Sequence, residues 1–450
     1  MATHPAPTKP LNELPTPPGD DGLPVIGTTL AFLQDPQHLQ KLREKHKTEM
    51  VYSRFLGART VFLSGSTAHQ WAFTGEDKYL VTEWNSAIIQ ILGPQGTSTL
   101  TGEAHRERRR LMQSRLKFES MQDFAPAIKA SAERHLAQWV AQKPLTVLPV
   151  MRSLMFEIIA LFIFSEDSQN LDLTYLSEQF RIADSGLFAF PAVDLPFLPF
   201  GKSMRAKGNL RKTLKAHVDQ RRNSGVRRKD ILDTLLYPPE NLSKPLSEDA
   251  ILDELQILLF AGHDTSVTAL TNLMYWLATH PAVTDRARQE ALALSEADLT
   301  NIEVMKNQPY LEAVLMENLR IIPPAASMFR RIKEDVELNG YRIPKGWKVG
   351  ISPRGSHHSH GNFPNPEKFD PDRFLVRQEH KKEPFNYIPF GGGPRLCLGQ
   401  NFAMTEMRIV LALLLRNYEW TWIEGQDSAF NLFPFPTMKS GVQVNFSART

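Results

Sequence analysis

The chain of 450 residues holds a single thiol, Cys397, near the end of Phe390-Gly391-Gly392-Gly393-Pro394-Arg395-Leu396-Cys397-Leu398-Gly399. A lone cysteine forms no intramolecular disulfide, and by default it is a small buried hydrophobe. Here the context argues otherwise. Three glycines let the backbone turn sharply and come close to a flat partner, where side chains would intrude. A helix is expected to begin within a few residues, at Asn401, and its positive end with nearby amide N–H groups favours a thiolate. Arg395 adds a cation on the same loop.

A second constellation, Ala261-Gly262-His263-Asp264-Thr265, lies in the middle of an apolar pattern from Asp249 to Thr279, about 45 Å long if helical throughout. Glycine inside a helix costs about 1 kcal/mol relative to alanine, so Gly262 needs a reason, and room for a bulky ligand against the helix is one. A threonine here can hydrogen-bond back to a carbonyl and open the helical ladder, leaving a groove for water or oxygen. Nothing in the pattern requires His263 to bind metal.

The cysteine segment resembles the ligand signature of the cytochromes P-450, Phe-x-x-Gly-x-Arg-x-Cys-x-Gly, matched at Phe390, Gly393, Arg395, Cys397 and Gly399. The second constellation is similar to the family's oxygen-side motif, (Ala/Gly)-Gly-x-(Asp/Glu)-Thr. Glu317-x-x-Arg320 followed by Pro323-Pro324, with Pro371-Asp372-Arg373-Phe374 further on, resembles its buried Glu/Arg/Arg network. The resemblance runs from about Pro18 to the C-terminus. It implies a mainly α fold with small β-sheets, and haem b (iron protoporphyrin IX) buried between a long distal helix and the helix after the cysteine loop. Cys397 would be the metal ligand. Asp264 and Thr265 would be the catalytic acid–alcohol pair that feeds protons to oxygen, and Glu317, Arg320 and Arg373 a structural lock. Ala261, Phe390, Gly399 and Ala403 would line the haem, with Arg330, Arg395 and the i, i+4 pair His105 and Arg109 meeting its propionates. Many family members carry Trp where His105 stands. Thiolate ligation implies monooxygenation because an anionic sulfur pushes electron density through iron and favours O–O cleavage, a property of this haem class rather than of these residues.

Within the family the chain resembles the retinoic-acid hydroxylase branch and its soluble bacterial relatives. The marks are Trp84 ahead of Ile91-Leu92-Gly93, Leu187-Phe188-Ala189-Phe190-Pro191, Phe329-Arg330 before Leu338-Asn339-Gly340-Tyr341, and Pro344-Lys345-Gly346-Trp347. Pro353-Arg354 and Ala325-Ala326-Ser327 depart from it. Trp84, Ile88, Phe188 and Phe329 are the expected substrate contacts. Aromatic residues at 188, 190, 197 and 200, set among prolines, suit an elongated apolar ligand such as a retinoid, isoprenoid or fatty acid. Two other classes, a haem-thiolate isomerase or dehydratase of hydroperoxides and a non-catalytic haem ligand-binding protein, fit less well because Asp264 and Thr265 are both present.

Lys+Arg 52 against Asp+Glu 49 leaves a net charge of only +3, too little to imply nucleic acid. Positive charge is concentrated instead in Arg106, Arg108, Arg109 and Arg110, with Arg115 and Lys117 beyond. Arg109 is expected to face inward and Arg106, Arg108 and Arg110 chiefly outward, as a dock for an acidic electron-transfer partner of ferredoxin or flavodoxin type. No flavin or nicotinamide domain follows Cys397, so the electrons are expected from that separate partner. No transmembrane anchor is expected. The run Leu154 to Phe164, broken by Glu157, reads as a buried core helix, and the protein as soluble and cytoplasmic.

The elements that must position these residues are read from periodicity and turn chemistry. Helices are expected over 104–117, 120–141, 150–164, 202–222, 248–279, 281–294, 308–320 and 400–416. Hairpins are expected around Gly57-Ala58 and Asn339-Gly340, and short strands from Tyr418 to Phe446. Residues 1–20, ending Pro15-Thr16-Pro17-Pro18-Gly19, form a stiff leader, and 21–450 a single catalytic domain.

Overall fold

The computed structural model describes residues 10–449 except 25, 36, 188, 190, 191, 242, 243 and 432–434. Eight helices carry the argument: α1 (Gly102–Leu116), α2 (Ala125–Trp139), α3 (Val147–Phe164), α4 (Leu173–Asp184), α5 (Pro199–Ser224), α6 (Glu248–Thr279), α7 (Pro309–Ile321) and α8 (Gln400–Asn417). The body is mainly helical with small sheets at its edge, as the sequence implies.

Local chemistry sets their ends. Ser247 caps α6, its side chain accepting from the Ala250 N–H at 3.2 Å, and Glu248 and Asp249 complement the positive helix end. Pro199 and Pro309 open α5 and α7, where a missing N–H costs nothing. Gly225, at φ 63°, ends α5 in the left-handed conformation. The expected bounds hold within a few residues for most helices. The stretch 120–141 begins later, because residues 119–123 form a 3-10 turn before Pro126 starts α2.

α3 is longer than its apolar run implies. By length and composition the segment Val147–Asn170 could cross a membrane, yet most of it is buried. It packs along α6 and α2, and Glu157 accepts from Ser131 at 2.7 Å and pairs with His135 at 2.9 Å and with Arg134. That is the core helix expected from Leu154 to Phe164. The largest apolar cluster is built mainly from α2, α3, α6, α7 and α8.

A six-stranded sheet runs Gly19–Asp20, Met50–Phe55, Ala58–Leu63, Lys348–Ile351, Met328–Ile332 and Leu80–Thr82. In its hairpin Phe55 pairs with Ala58, so the turn falls on Leu56 (φ 48°) and Gly57 (φ 77°), one residue earlier than expected. Asn339 (φ 52°) and Gly340 (φ 81°) form the second hairpin turn as expected. Tyr418–Trp422 pairs with Gln443–Ala448, which continues to Leu145–Thr146. After Ile351 the chain leaves the sheet at Pro353, the first residue of a short helix, Pro353–His357.

Candidate active site

The cysteine loop is closed by Cys397 N–H donating to the Phe390 carbonyl at 2.9 Å, and by Gly391 N–H donating to Ile388 at 3.0 Å. Gly391 and Gly393 have φ 75° and 62°, values that disfavour a side chain. The close approach they permit is to protein, which revises one expectation. A Cβ on Gly393 would stand 2.6 Å from the Phe73 carbonyl oxygen, and one on Gly391 would stand 2.9 Å from Met328 Sδ. At Gly399 a Cβ would meet nothing within 4 Å.

Cys397 is exposed to a cavity of about 670 Å³ that Arg109, Leu398, Gln400 and Asn401 also line. Desolvation by the surrounding protein pushes the thiol up, and the Gly399 N–H and the Arg109 charge pull it only partly back. The cation beside the sulfur is thus Arg109, which also donates from Nη1 to the Leu396 carbonyl at 2.8 Å. Arg395 turns away. Its Nη2 donates to the Leu100 carbonyl at 2.7 Å, and its Nε meets Glu76 at 3.2 Å.

Glu76 is a residue that sequence reasoning missed. It is buried, pairs with both Arg330 and Arg395, and accepts from Thr82 Oγ1 at 2.9 Å. Burial pushes its carboxyl up, but the two guanidiniums outweigh that and hold it below the usual carboxylate range. Nothing near Glu76 in sequence marks it, since the two arginines that answer its charge lie more than two hundred residues away. His105 lies within the same field. Burial, Arg395 and Arg109 push it down to about 4, so at neutral pH it is an uncharged N–H donor.

The outward assignment of three arginines on α1 needs one correction. Arg108 is buried, and its Nη1 meets Glu254 of α6 at 2.8 Å. Arg106 and Arg110 are exposed, but Glu103 pairs with both and Asp77 with Arg106. Only tertiary contact distinguishes Arg108 from its neighbours.

On the long helix, Thr265 Oγ1 donates to the Ala261 carbonyl at 2.7 Å, the back-bond expected from its type. The helix nevertheless runs unbroken from Glu248 to Thr279. Ala261 is exposed and Gly262, Asp264 and Thr265 after it are half-buried, in a helix whose residues 251–257 and 266–274 are buried. Gly262 has a different reason from the one expected. A Cβ there would stand 2.5 Å from Ile159 Cδ1, so glycine allows α3 to close on α6. One residue beyond Thr265, Ser266 hydrogen-bonds Glu406 of α8, tying the long helix to the helix after the cysteine loop. Burial raises Glu406 to about 8, so it is a protonated acid at neutral pH.

Asp264 lines a second cavity, of about 820 Å³, with Arg152, Phe180, Asp184 and Thr268. His263, packed edge-on between Phe156 and Phe180, places Nδ1 3.3 Å from the Asp264 carboxylate, while its Nε2 lies 3.1 Å from the Arg152 carbonyl oxygen. His263 is therefore a partner of Asp264, a role its sequence position does not show.

Of the expected substrate contacts, Trp84 and Ile88 come together. Both pack in one cluster with Ile91, Leu187 and Phe200, and Trp84 Nε1 donates to the Ser98 carbonyl at 2.7 Å. Phe329 does not join them. It stacks on Phe55 at 5.8 Å and packs with Phe62 in a separate cluster against the sheet. Phe188 and Phe190 lie outside the described residues. Phe197 is 70% exposed and Phe200 is buried.

The Glu317 network is complete. Arg320 meets Glu317 at 2.6 Å, Arg373 meets it at 3.2 Å and Glu379 at 3.1 Å, and all four residues are buried. Arg320 also donates to the His357 carbonyl at 2.7 Å, and His357 Nε2 accepts from the Ile388 N–H at 2.9 Å. These bonds run from α7 to the start of the cysteine loop. Phe390 and Ala403, on that loop and on α8, are half-buried against the main core. Among the described residues no group of three or more His, Cys, Asp and Glu could hold a metal ion.

The family model for cytochrome P450 matches residues 17–446. A curated relative named putative cytochrome P450 120, from Synechocystis sp., is 34% identical over 436 residues, covering 96% of this chain and 97% of its own. A beta-amyrin 28-monooxygenase of Medicago truncatula is 29% identical over 436 residues, covering 93% and 90%. The solved structure of a retinoic acid-bound cyanobacterial protein, CYP120A1, superposes with a TM-score of 0.90 at 34% identity, covering 97% of this chain and 100% of that one.

Proposed function

From the premise that the chain belongs to the cytochrome P450 family, we propose that it is a haem-thiolate monooxygenase. One atom of O2 enters a C–H bond of an apolar substrate, the other leaves as water, and a separate ferredoxin- or flavodoxin-type partner supplies the electrons. The observation that carries this reading is the pairing of two features. The chain's only thiol is exposed beside the start of α8, and Ser266–Glu406 binds that helix to the one bearing Asp264 and the back-bonded Thr265.

The residues fit a haem. Ala261 is accessible on a helix otherwise largely buried, Cys397 is exposed on its loop, and a Cβ at Gly399 would meet nothing within 4 Å. Cys397 would be the residue that holds the iron. A thiol that burial holds protonated loses its proton readily to a metal, so haem binding and thiolate formation are coupled. Arg330, Arg395, Arg109 and His105 would meet the propionates, with Glu76 setting the first two guanidiniums in place. Phe390, Gly399, Ala403 and Ala261 would line the ring. When bound, the haem supplies the oxygen chemistry, and the chain supplies position, protons and exclusion of water.

The chain's own contribution on the oxygen side is a proton path. Asp264 holds a carboxylate next to Thr265, whose hydroxyl is fixed by the Ala261 carbonyl. On the other side, Glu317, Arg320 and Arg373 hold the segment that leads into the cysteine loop, within one catalytic domain over 21–450. Exposed Arg110 and Lys117 on or beside α1 lie near the face that carries Arg109 and Cys397, and would steer an acidic partner.

An isoprenoid or retinoid is the favoured substrate class. The apolar wall of Ile88, Leu187 and Phe200 with Trp84 supports it, as do the retinoic acid of the CYP120A1 structure and the beta-amyrin in the plant relative's name, both isoprenoid skeletons. Titration of the haem-loaded protein with retinoic acid should shift the Soret band from the low- to the high-spin position. Absence of a shift with retinoic acid and with other isoprenoid acids, in protein with an intact thiolate spectrum, would rule out the class.

A further inference from the structure

The cavity beside Asp264 holds one acid that the function above does not use. Asp184 is the last residue of α4, and its carboxyl faces that of Asp264 on α6. Its Oδ2 is buried and has no hydrogen-bond partner among the described residues. The cavity runs between α3, α4, the start of α5 and the C-terminal strands, and both aspartates line it, whereas Ala261 and Thr265 do not. Asp264 therefore stands between an outer chamber and the threonine beside it in sequence.

Two half-buried carboxyls that face each other cannot both ionise freely, and they share a proton. The surroundings decide which one keeps it. His263 Nδ1 and the Arg152 charge sit on Asp264, and no arginine or lysine pairs with Asp184 among the described residues. Arg181 is the other charged group on the cavity wall, and Asn431 and Thr437 contribute no charge.

We propose, on the basis of the monooxygenase reading, that Asp184 is a positioning residue of the proton path, which holds a proton in the outer chamber and hands it to Asp264. In the step the Asp184 O–H breaks and an Asp264 O–H forms, so the negative charge moves from Asp264 to Asp184. Asp264 then releases the proton on the Thr265 side, and water in the cavity reprotonates Asp184. One proton crosses per cycle of the pair, with no change of oxidation state. The directions set the resting state, in which the proton sits on Asp184, so its passage to Asp264 is uphill and is completed only as Asp264 gives a proton up on the Thr265 side. Burial and the Asp264 charge push Asp184 well above the usual carboxylate range. Burial also pushes Asp264 up, but the His263 ring beside it and the Arg152 charge hold it below that range.

The test uses the haem-loaded full chain with a ferredoxin and its reductase, retinoic acid as the probe, and aspartate labelled with carbon-13. At neutral pH the parent should show an infrared band from a protonated, buried aspartic acid, and D184N should lack it. In D184N, oxygen-dependent reductant consumption should fall by up to about 10²-fold, the low end for a positioned proton-transfer group. The pH at which the rate declines should move, D184E should restore both, and D184N/D264N should lose no more than either single variant. An aspartate that merely held α4 against α6 would lower thermal stability and leave the pH profile where it was. Persistence of the band in D184N, or an unchanged pH profile once the band is gone, would overturn the relay. Loss of the thiolate CO spectrum in the parent would instead overturn the monooxygenase reading, so the two failures are distinct.

Discussion

Around Glu317 every buried charge is answered. Its two oxygens take Arg320 and Arg373, Arg373 reaches on to Glu379, and the remaining guanidinium hydrogens find the carbonyls of His357 and Pro366. Around Asp264 the pattern is reversed. A second carboxyl faces the first, one of its oxygens has no partner among the described residues, and the group lines a cavity instead of the packed core. The first arrangement fixes a backbone, since a fully satisfied ionic network rigidifies what it touches. The second leaves one proton between two carboxyls, with the surroundings favouring Asp184. Burial alone therefore does not distinguish a structural carboxylate from one placed to exchange a proton, and what sets Asp184 apart is an unanswered oxygen together with a cavity and a second carboxyl beside it.

Glu317→Ala tests the first arrangement and should have a large effect. Leaving two buried guanidiniums unpaired costs about 3–5 kcal/mol, to be read as a lower denaturant midpoint and poor haem retention. A midpoint close to the parent's would mean that the network is not what holds the cysteine loop. Thr265→Ala tests the second arrangement with the fold intact. Haem and retinoic acid binding should be nearly unchanged, while product per reductant consumed should fall by roughly tenfold as electrons divert to hydrogen peroxide. Unchanged coupling would assign the proton to another group.

A third pair of changes separates buried from exposed charge on one helix. Arg108→Glu places like charge against Glu254 in the core and should prevent stable folding. Arg110→Glu with Lys117→Glu should leave the haem spectrum alone and slow reduction by an acidic partner a few-fold, chiefly through association. That loss should fade with salt, because the Debye length shrinks to about 3 Å at 1 M. Stopped-flow reduction across ionic strengths checks this, and a salt-independent rate equal to the parent's would place docking elsewhere.

The difference between the two clusters also explains what could be read in advance. Glu317, Arg320 and Arg373 were legible because local sequence patterns carry them, and α6 was legible because its apolar pattern is long and Ser247 caps it. The cysteine loop was legible for the same reason. Asp184 and Glu76 were not, because each acquires its meaning from a residue on a distant element. α4 escaped notice because only Leu176, Phe180 and Ala183 are buried along a polar stretch, although Asp172, which accepts from the Tyr175 N–H at 2.9 Å, was a readable cap. Four arginines within five positions of α1 look alike in sequence, and Glu254 singles out Arg108 only once the helices have packed. Gly262 looked like room for a ligand, and Ile159 gives it its actual neighbour.

All of this depends on Cys397 as the axial ligand, and the reduced, CO-bound spectrum tests that most directly. The parent should show the strongly red-shifted Soret band of a thiolate–haem–CO complex, and Cys397→Ser and Cys397→His should both lose it while the far-UV circular dichroism stays that of the parent. Retention of the red-shifted band in either variant would contradict the account, because among 450 residues there is no second thiol to supply it.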